Sequence, residues 1–210
     1  EAICCWGDEG IPAFNYNQWG ASHPMLKGFY YRLYFGVTMC NYYLSEASEY
    51  NAQMTAEVRF LRAMYYYHLM DCFGNIPFMT QVSSEKAPQY TREQVYAFIE
   101  SELNECEPNL AAPMATTYGR PDKAAAWMLY ARLYLNAEVY TGTPQWNKAA
   151  EYAQKIMNSG YKLHTEGNDN WSAYQMLFMG DNGENGASQE AILPLYQDGV
   201  TTTSWGTSLF

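Results

Sequence analysis

The sequence predicts an all-α fold, a tetratricopeptide-like stack of paired helices carrying long irregular loops, and three observations predict it. The stretch from Met54 to Pro77, MTAEVRFLRAMYYYHLMDCFGNIP, places its apolar positions in two stripes when plotted at about 100° per residue, where a surface helix needs only one. Several further segments of helical periodicity flank it between residues 25 and 160. One of these, KAAAWMLYARLYLNAEVY, is apolar almost all round and carries Ala124, Ala125, Ala126 and Ala131, small enough for close helix approach.

The elements follow in order. Residues 1–24 form an irregular N-terminal segment in which Gly, Pro, Asn and Asp recur. A first helix runs from Met25 to about Tyr43, with Leu26, Tyr30, Leu33, Val37 and Cys40 at helical spacing, and pairs with the Met54 helix as an αα-hairpin. In the Met54 helix, Met54, Val58, Leu61, Tyr65, Leu69 and Cys72 share one side, and Ala56, Phe60, Ala63, Met64, Tyr67 and Met70 the other. Gly74 and Pro77 end it. Thr91 and Gln94 have the spacing of a capping box and open a third helix that Pro108 closes, with Glu93, Glu100, Glu102, Glu105 and Glu107 as its solvated side. Asp122 caps a fourth, reaching about Tyr140. Thr143-Pro144 starts a fifth, carrying Trp146, Ala149, Ala150, Ala153, Ile156 and Met157, which stops at Gly160. The organisation expected is therefore a loop segment (1–24), a helical-repeat core (25–160) and a loop-rich segment (161–210) leading towards a further C-terminal subdomain, with a strand over Glu190 to Leu195.

Composition narrows the function. A net charge of −10 with 12 Lys+Arg argues against nucleic-acid and anionic-membrane surfaces. The 5 Cys (positions 4, 5, 40, 72 and 106) lack CxxC spacing, so no zinc or redox motif is expected, and Cys40 and Cys72 read as buried apolar residues. Asp169, Asp181 and Glu184 do not match a calcium loop. No metal or cofactor is expected. His23, His68 and His164 are scattered, and neither G-x-S-x-G nor HExxH occurs, so no catalytic residues are assigned.

The composition is instead aromatic, with 20 Tyr, 9 Phe and 6 Trp. In EAICCWGDEGIPAFNYNQWG, rings alternate with amides: Trp6, Tyr16 and Trp19 among Asn15 and Asn17. Flat rings stack on the apolar face of a pyranose while amides and carboxylates bond its hydroxyls. Trp19 and Trp6 are the expected stacking residues, with Trp171 or Trp205 adding to the surface and Asn15, Tyr16, Asn17 and Asp198 bonding the sugar. The competing reading is a scaffold that binds peptides or proteins in a groove along Arg59, Arg62 and Tyr66. Against it, Arg62 and Glu57 are expected to make buried polar contacts between helices.

The order of motifs resembles the RagB/SusD family. AEVRFLRAMYYYHLMDCFGNIPFMT is similar to its hallmark helix, with an acidic-x-x-Phe-Leu-Arg-Ala start, an aromatic run and a Phe-Gly-x-x-Pro exit. CCWGDEGIPAFNYNQW resembles the loop before its first helix pair. In YYRLYFGVTMCNYYL, Tyr31 stands where the family has Trp and Val37 where it has Ile, while Asn41 and Leu44 agree. GRPDKAAAWMLYARLYL, WNKAAEYAQKIMNSGYKL and QEAILPLYQDG followed by TSWG continue the series. The resemblance implies a lipid-anchored, non-catalytic protein on the extracellular face of the outer membrane in Bacteroidetes. It would act as a lid on a SusC-like TonB-dependent β-barrel transporter, holding oligosaccharide or peptide for import. It also implies that this chain is part of a larger SusD-like fold, with the lipid-bearing Cys upstream rather than at Cys4 or Cys5.

Overall fold

The computed structural model describes residues 10–201. After a short helix α1 (Ile11–Asn15), the stack is built from α2 (Pro24–Glu46), α3 (Ala52–Phe73), α4 (Arg92–Cys106), α5 (Lys123–Leu135), α6 (Ala137–Thr141) and α7 (Trp146–Met157), and α8 (Ala173–Met176) lies in the loop-rich segment. α2 packs on α3, α3 on α4, and α5 on α7, with α6 touching α4. The expected all-α stack is what the chain forms. Its strands are Ile76–Pro77 and Gln89–Tyr90, an antiparallel clip that closes the loop after α3.

The caps lie where side-chain chemistry puts them. Asn51 Oδ1 accepts the Met54 N–H at 2.9 Å and starts α3. Thr91 and Gln94 form the capping box of α4. Gly74 ends α3 at φ 77°, a conformation strained for a residue with a Cβ. Asp122 caps α5 by accepting the N–H groups of Ala124 (2.8 Å) and Ala125 (3.1 Å). Several boundaries differ from expectation. Residues 11–15 are helical because Pro12 pre-sets the first turn. The fourth helix breaks at Asn136 (φ −99°, ψ 11°), a residue whose side chain competes for backbone bonds. Pro144 lies ahead of α7 rather than inside its first turn. The strand expected over Glu190 to Leu195 is absent, and the segment is irregular after a 3₁₀ turn at Ala187–Gln189.

Both stripes of α3 meet neighbours, and no residue from Thr55 to Met70 is exposed. Coverage is unequal. Ala56, Phe60, Ala63, Tyr67 and Met70 are buried, whereas Val58, Leu61 and Tyr65 are half-covered by α2, and Met54 and Cys72 are exposed. Cys72 is thus not a core residue, while Cys40 and Cys106 are buried. α7 likewise buries Ala149 and leaves Trp146 and Met157 exposed, as befits the end of a stack.

The polar interior pairs differently from the sequence-based expectation. Glu102 is not on a solvated face: it is buried, with Arg62 Nη2 at 2.7 Å and Arg59 Nη1 at 2.7 Å. Arg62 also donates to Asn41 Oδ1 at 2.9 Å. Glu57 pairs with Arg120, at 2.6 Å, rather than with Arg62. A second polar set joins α4 to α5. Trp127 Nε1 donates to Glu107 (2.7 Å), Tyr130 to Asn104 (2.6 Å) and Tyr134 to Glu100 (2.7 Å), while Tyr152 of α7 stacks on Tyr130 at 4.3 Å between centroids.

Burial of so many phenols and thiols makes the fold sensitive to alkali. Desolvation pushes Tyr66 and Tyr96 up from 10.0 to about 12, and the thiols of Cys40 and Cys106 up from 9.0 to about 11 and about 12. Tyr34, Tyr130, Tyr134 and Tyr140 move in the same direction. The unfolded chain loses these protons first, so their contribution to stability is intact below pH 9 and declines as pH rises towards 12. Thermal melts across that window should show a falling midpoint, with phenolate absorbance appearing together with unfolding. A midpoint flat to the top of the window contradicts this account.

Candidate functional site

The residues between α1 and α2 fold back on themselves. Gly10 has φ 96°, and a Cβ there would lie 2.8 Å from the His23 ring. His23 Nε2 is 2.8 Å from the Gly10 carbonyl oxygen, which requires the ring to donate, and His23 is buried. Phe14 packs against His23 (4.5 Å between centroids) on one side and Trp19 (5.6 Å) on the other. Asn17 takes a left-handed backbone, φ 53°, which turns the chain and presents Trp19. The loop is therefore a braced structure with Trp19 at its outer edge.

Trp19 lines an open concavity of about 660 Å³. The loop contributes Trp19, Gly20 and Ala21. The first turns of α2 contribute Leu26, Lys27, Tyr30 and Tyr31, and the end of α3 contributes Cys72 and Phe73. Trp19 is 48% exposed and Tyr31 60%. Tyr30 is held edge-on against Phe73 at 5.1 Å. Lys27 Nζ lies 5.7 Å from the Tyr31 ring centroid and supplies the charge of the lining. Partial burial, with Asp71 nearby, pushes the Cys72 thiol upward, so it is protonated and a poor nucleophile at neutral pH. A mostly apolar concavity with four rings and a few polar groups has the composition of a small-ligand site.

The expected site residues divide into separate groups. Asn15, Tyr16, Asn17 and Trp19 lie together on the braced loop, all exposed, and Trp19 alone of them lines the concavity. Trp171 is exposed but belongs to the α8 segment. Asp198 Oδ1 accepts the N–H groups of Val200 (2.8 Å) and Thr201 (2.7 Å), so that carboxylate oxygen closes a turn. Trp6 and Trp205 lie outside the described residues. Tyr30, Tyr31, Lys27 and Phe73 were not among the expected residues. Their signal was available: Tyr31 falls off the core stripe of its helix, which runs through Leu26, Tyr30, Leu33, Val37 and Cys40.

The groove proposed along Arg59, Arg62 and Tyr66 is not open. Tyr66 is 0% exposed and Arg62 6%, and the seam is an internal contact among α2, α3 and α4. Tyr66 is spent on Met79, donating to its carbonyl (2.6 Å) and accepting its N–H (3.0 Å). A second, smaller concavity of about 210 Å³ lies between α2 and α3, where the Tyr65 ring occupies the space a Cβ on Gly36 would need. Among the described residues no group of three or more His, Cys, Asp or Glu is placed to hold a metal ion, and no helix is long and apolar enough to cross a membrane.

Comparison with known proteins adds to this geometry. A family model described as "Starch-binding associating with outer membrane" matches residues 12–135. Starch-binding protein SusD of Bacteroides thetaiotaomicron is 40% identical over 99% of this chain and 38% of its own length. Among solved structures, one determined with xylogluco-oligosaccharide superposes with a TM-score of 0.74 at 27% identity, over 90% of this chain and 38% of that one. A SusD superfamily protein of Parabacteroides distasonis gives 0.66 at 25% identity, over 80% and 37%. The chain thus spans about two fifths of the length of the relatives it matches.

Proposed function

The chain belongs to the SusD-like family, and on that footing we propose that the protein is a cell-surface glycan-binding protein whose ligand enters the Trp19 concavity. A pyranose ring stacks on Trp19, with Tyr31 on the facing helix and the amides of Asn15 and Asn17 at the rim. Lys27 donates to hydroxyl or ring oxygens. The observation that carries this reading is that Trp19, half-exposed and braced by Phe14, opens onto a concavity lined by the rings of Tyr30, Tyr31 and Phe73. Stacking against the faces of sugar rings is the chemistry such a lining supports.

Affinity for one sugar segment is modest, because each exposed hydrogen bond replaces one to water. Such a ligand is readily released. Delivery to a TonB-dependent transporter and a lipid anchor at the outer membrane's extracellular face complete the proposal; the starch-binding relative supports its ligand class and the family description its association with the outer membrane. Peptide capture along the helices has less support, since Arg62 and Tyr66 of the polar seam are buried and Arg59 alone of the three is partly exposed.

Trp19→Ala in the full-length protein is expected to weaken oligosaccharide binding about tenfold, equivalent to ~1.4 kcal/mol, with an unchanged melting temperature. Titration calorimetry with starch and xyloglucan oligosaccharides reads it. Protection of Cys72 from alkylation by the same ligands, followed by peptide mass spectrometry, reports whether the concavity is occupied. Unaltered affinity together with unprotected Cys72 removes the site. Transporter delivery is tested separately, by purifying the intact protein from membranes in mild detergent and asking whether a large β-barrel accompanies it.

A further inference from the structure

The loop-rich segment carries a second aromatic surface. Trp171, Tyr174 and Phe178 follow one another at helical spacing across α8 and are 47%, 71% and 66% exposed. Tyr174 and Phe178 meet nearly edge-on with centroids 5.1 Å apart. The backbone beneath them is locked. Asn168 Oδ1 accepts the N–H groups of Asn170 (3.0 Å) and Trp171 (2.9 Å), and the Asn168 N–H donates to the Trp171 carbonyl at 2.9 Å. A Cβ on Gly167 would lie 2.5 Å from that carbonyl oxygen, so this tight turn needs glycine. Ser172 and Gln175 then form a capping box. On the inner side Met176 is buried, and Asn185 and Asn182 donate to the carbonyls of Met176 (3.0 Å) and Leu177 (2.9 Å). Three large rings are thus held outward on a fixed support, an arrangement that suits contact rather than packing.

Charge narrows what the rings contact. No Lys or Arg occurs after Lys162, and Glu166, Asp169, Asp181 and Glu184 flank the platform in sequence. A polyanion or an anionic membrane is repelled there. A neutral polyhydroxylated chain is not: its ring faces stack on the aromatics, and the exposed amides of Asn170 and Gln175 bond its hydroxyls.

The platform and the Trp19 concavity lie towards opposite ends of α3. The concavity takes Phe73 from its C-terminal end. The α8 segment is tied through Asn182 to Tyr118 (3.3 Å), two residues from the Arg120 that pairs with Glu57 near the N-terminal end. About 24 Å of helix separates Glu57 from Phe73. We propose that Trp171, Tyr174 and Phe178 form a second contact platform for neutral glycan, spaced so that a long chain engages it and the Trp19 concavity together. This rests on the glycan reading of the Trp19 site. Two linked contacts raise apparent affinity for polymer and leave short ligands unaffected. The protein then selects polysaccharide over fragments.

The test compares the wild-type full-length protein with a Trp171→Ala, Tyr174→Ala, Phe178→Ala triple variant. Affinity electrophoresis in soluble starch and in xyloglucan reads polymer binding, and calorimetry reads oligosaccharides of the same linkages. The expected result is an about tenfold loss on the polymer that the wild type binds, with less than a twofold change on the short ligand and an unchanged melting temperature. Equal polymer binding by variant and wild type overturns the platform while leaving the Trp19 site intact. A clear fall in melting temperature also overturns it, because the rings would then be packed rather than presented. A wild type that binds neither glycan, short or long, overturns the Trp19 reading and the platform with it.

Discussion

Asp122→Ala lowers stability by about 4 kcal/mol, and in a chain of this size the thermal midpoint falls by roughly 8–16 °C. Asp122 is 0% exposed and accepts four hydrogen bonds. Two come from the first N–H groups of α5, one from the Met114 N–H at 2.8 Å and one from the Tyr161 hydroxyl at 2.8 Å. Losing the helix cap alone costs about 1 kcal/mol. Each donor left unpaired in the interior adds about 1–3 kcal/mol, reduced where the turn relaxes to admit water. Asp122→Asn is the informative control. Its amide oxygen still caps α5, but its NH₂ faces the Met114 N–H, donor against donor, so a loss of about half the size is expected. Thermal or urea unfolding of both variants decides the matter. Equal and small losses would show that Asp122 is no more than a cap.

Glu102→Ala costs about 3–5 kcal/mol, the usual consequence of stranding a buried charge. Arg62 would lose both its bonds to the carboxylate and keep only Asn41 and the Thr80 carbonyl, at 3.4 Å. Arg59 is less affected, since it also reaches Glu105 at 2.8 Å on the surface. Pairing Glu102→Leu with Arg62→Met should restore most of the stability, because removing both charges together removes the desolvation penalty. A double-mutant cycle by chemical denaturation measures this. Additive single effects would contradict the described pairing.

The contrast between Glu102 and Thr91 shows what the sequence discloses. Thr91 and Gln94 are three residues apart, and the capping box they form follows from local chemistry. The same holds for Asn51, Gly74 and Asp122 at their helix ends. Glu102 reads as a surface residue because three other glutamates share its helix and Glu107 follows it, and its partners lie 40 or more residues away. Glu57 and Arg120 are separated by 63. Side-chain pairing across a stack depends on helix rotation, which periodicity defines only to within a stripe. Cys72 failed similarly: it continues the apolar stripe of α3 but emerges beyond the point where α2 covers it.

Of the candidate concavity, the sequence discloses Trp19, because rings and Asn alternate in the loop that carries it; Asn15 and Asn17 share that loop without lining the concavity. Tyr31 lies off the core stripe of its helix, a signal masked by the neighbouring Tyr30 and Tyr34, which do fit a packing pattern, and Lys27 reads as an ordinary surface charge. Tyr174 and Phe178 stayed hidden for a different reason. The α8 turn is too short for periodicity to register, so Trp171 was visible only as an isolated ring.

The hydroxyl and indole bonds between α4 and α5 carry a mechanical consequence. Trp127, Tyr130 and Tyr134 meet Glu107, Asn104 and Glu100 in antiparallel order, three rungs whose spacing matches only when the helices are aligned as observed. Sliding α5 by one turn, about 5.4 Å, would break every rung at once and leave carboxylates beneath rings that no longer donate. The two helices therefore behave as a ratchet locked in one notch. Relative sliding of these two segments is therefore the motion this part of the molecule resists most, because it breaks three partly buried bonds in a single step.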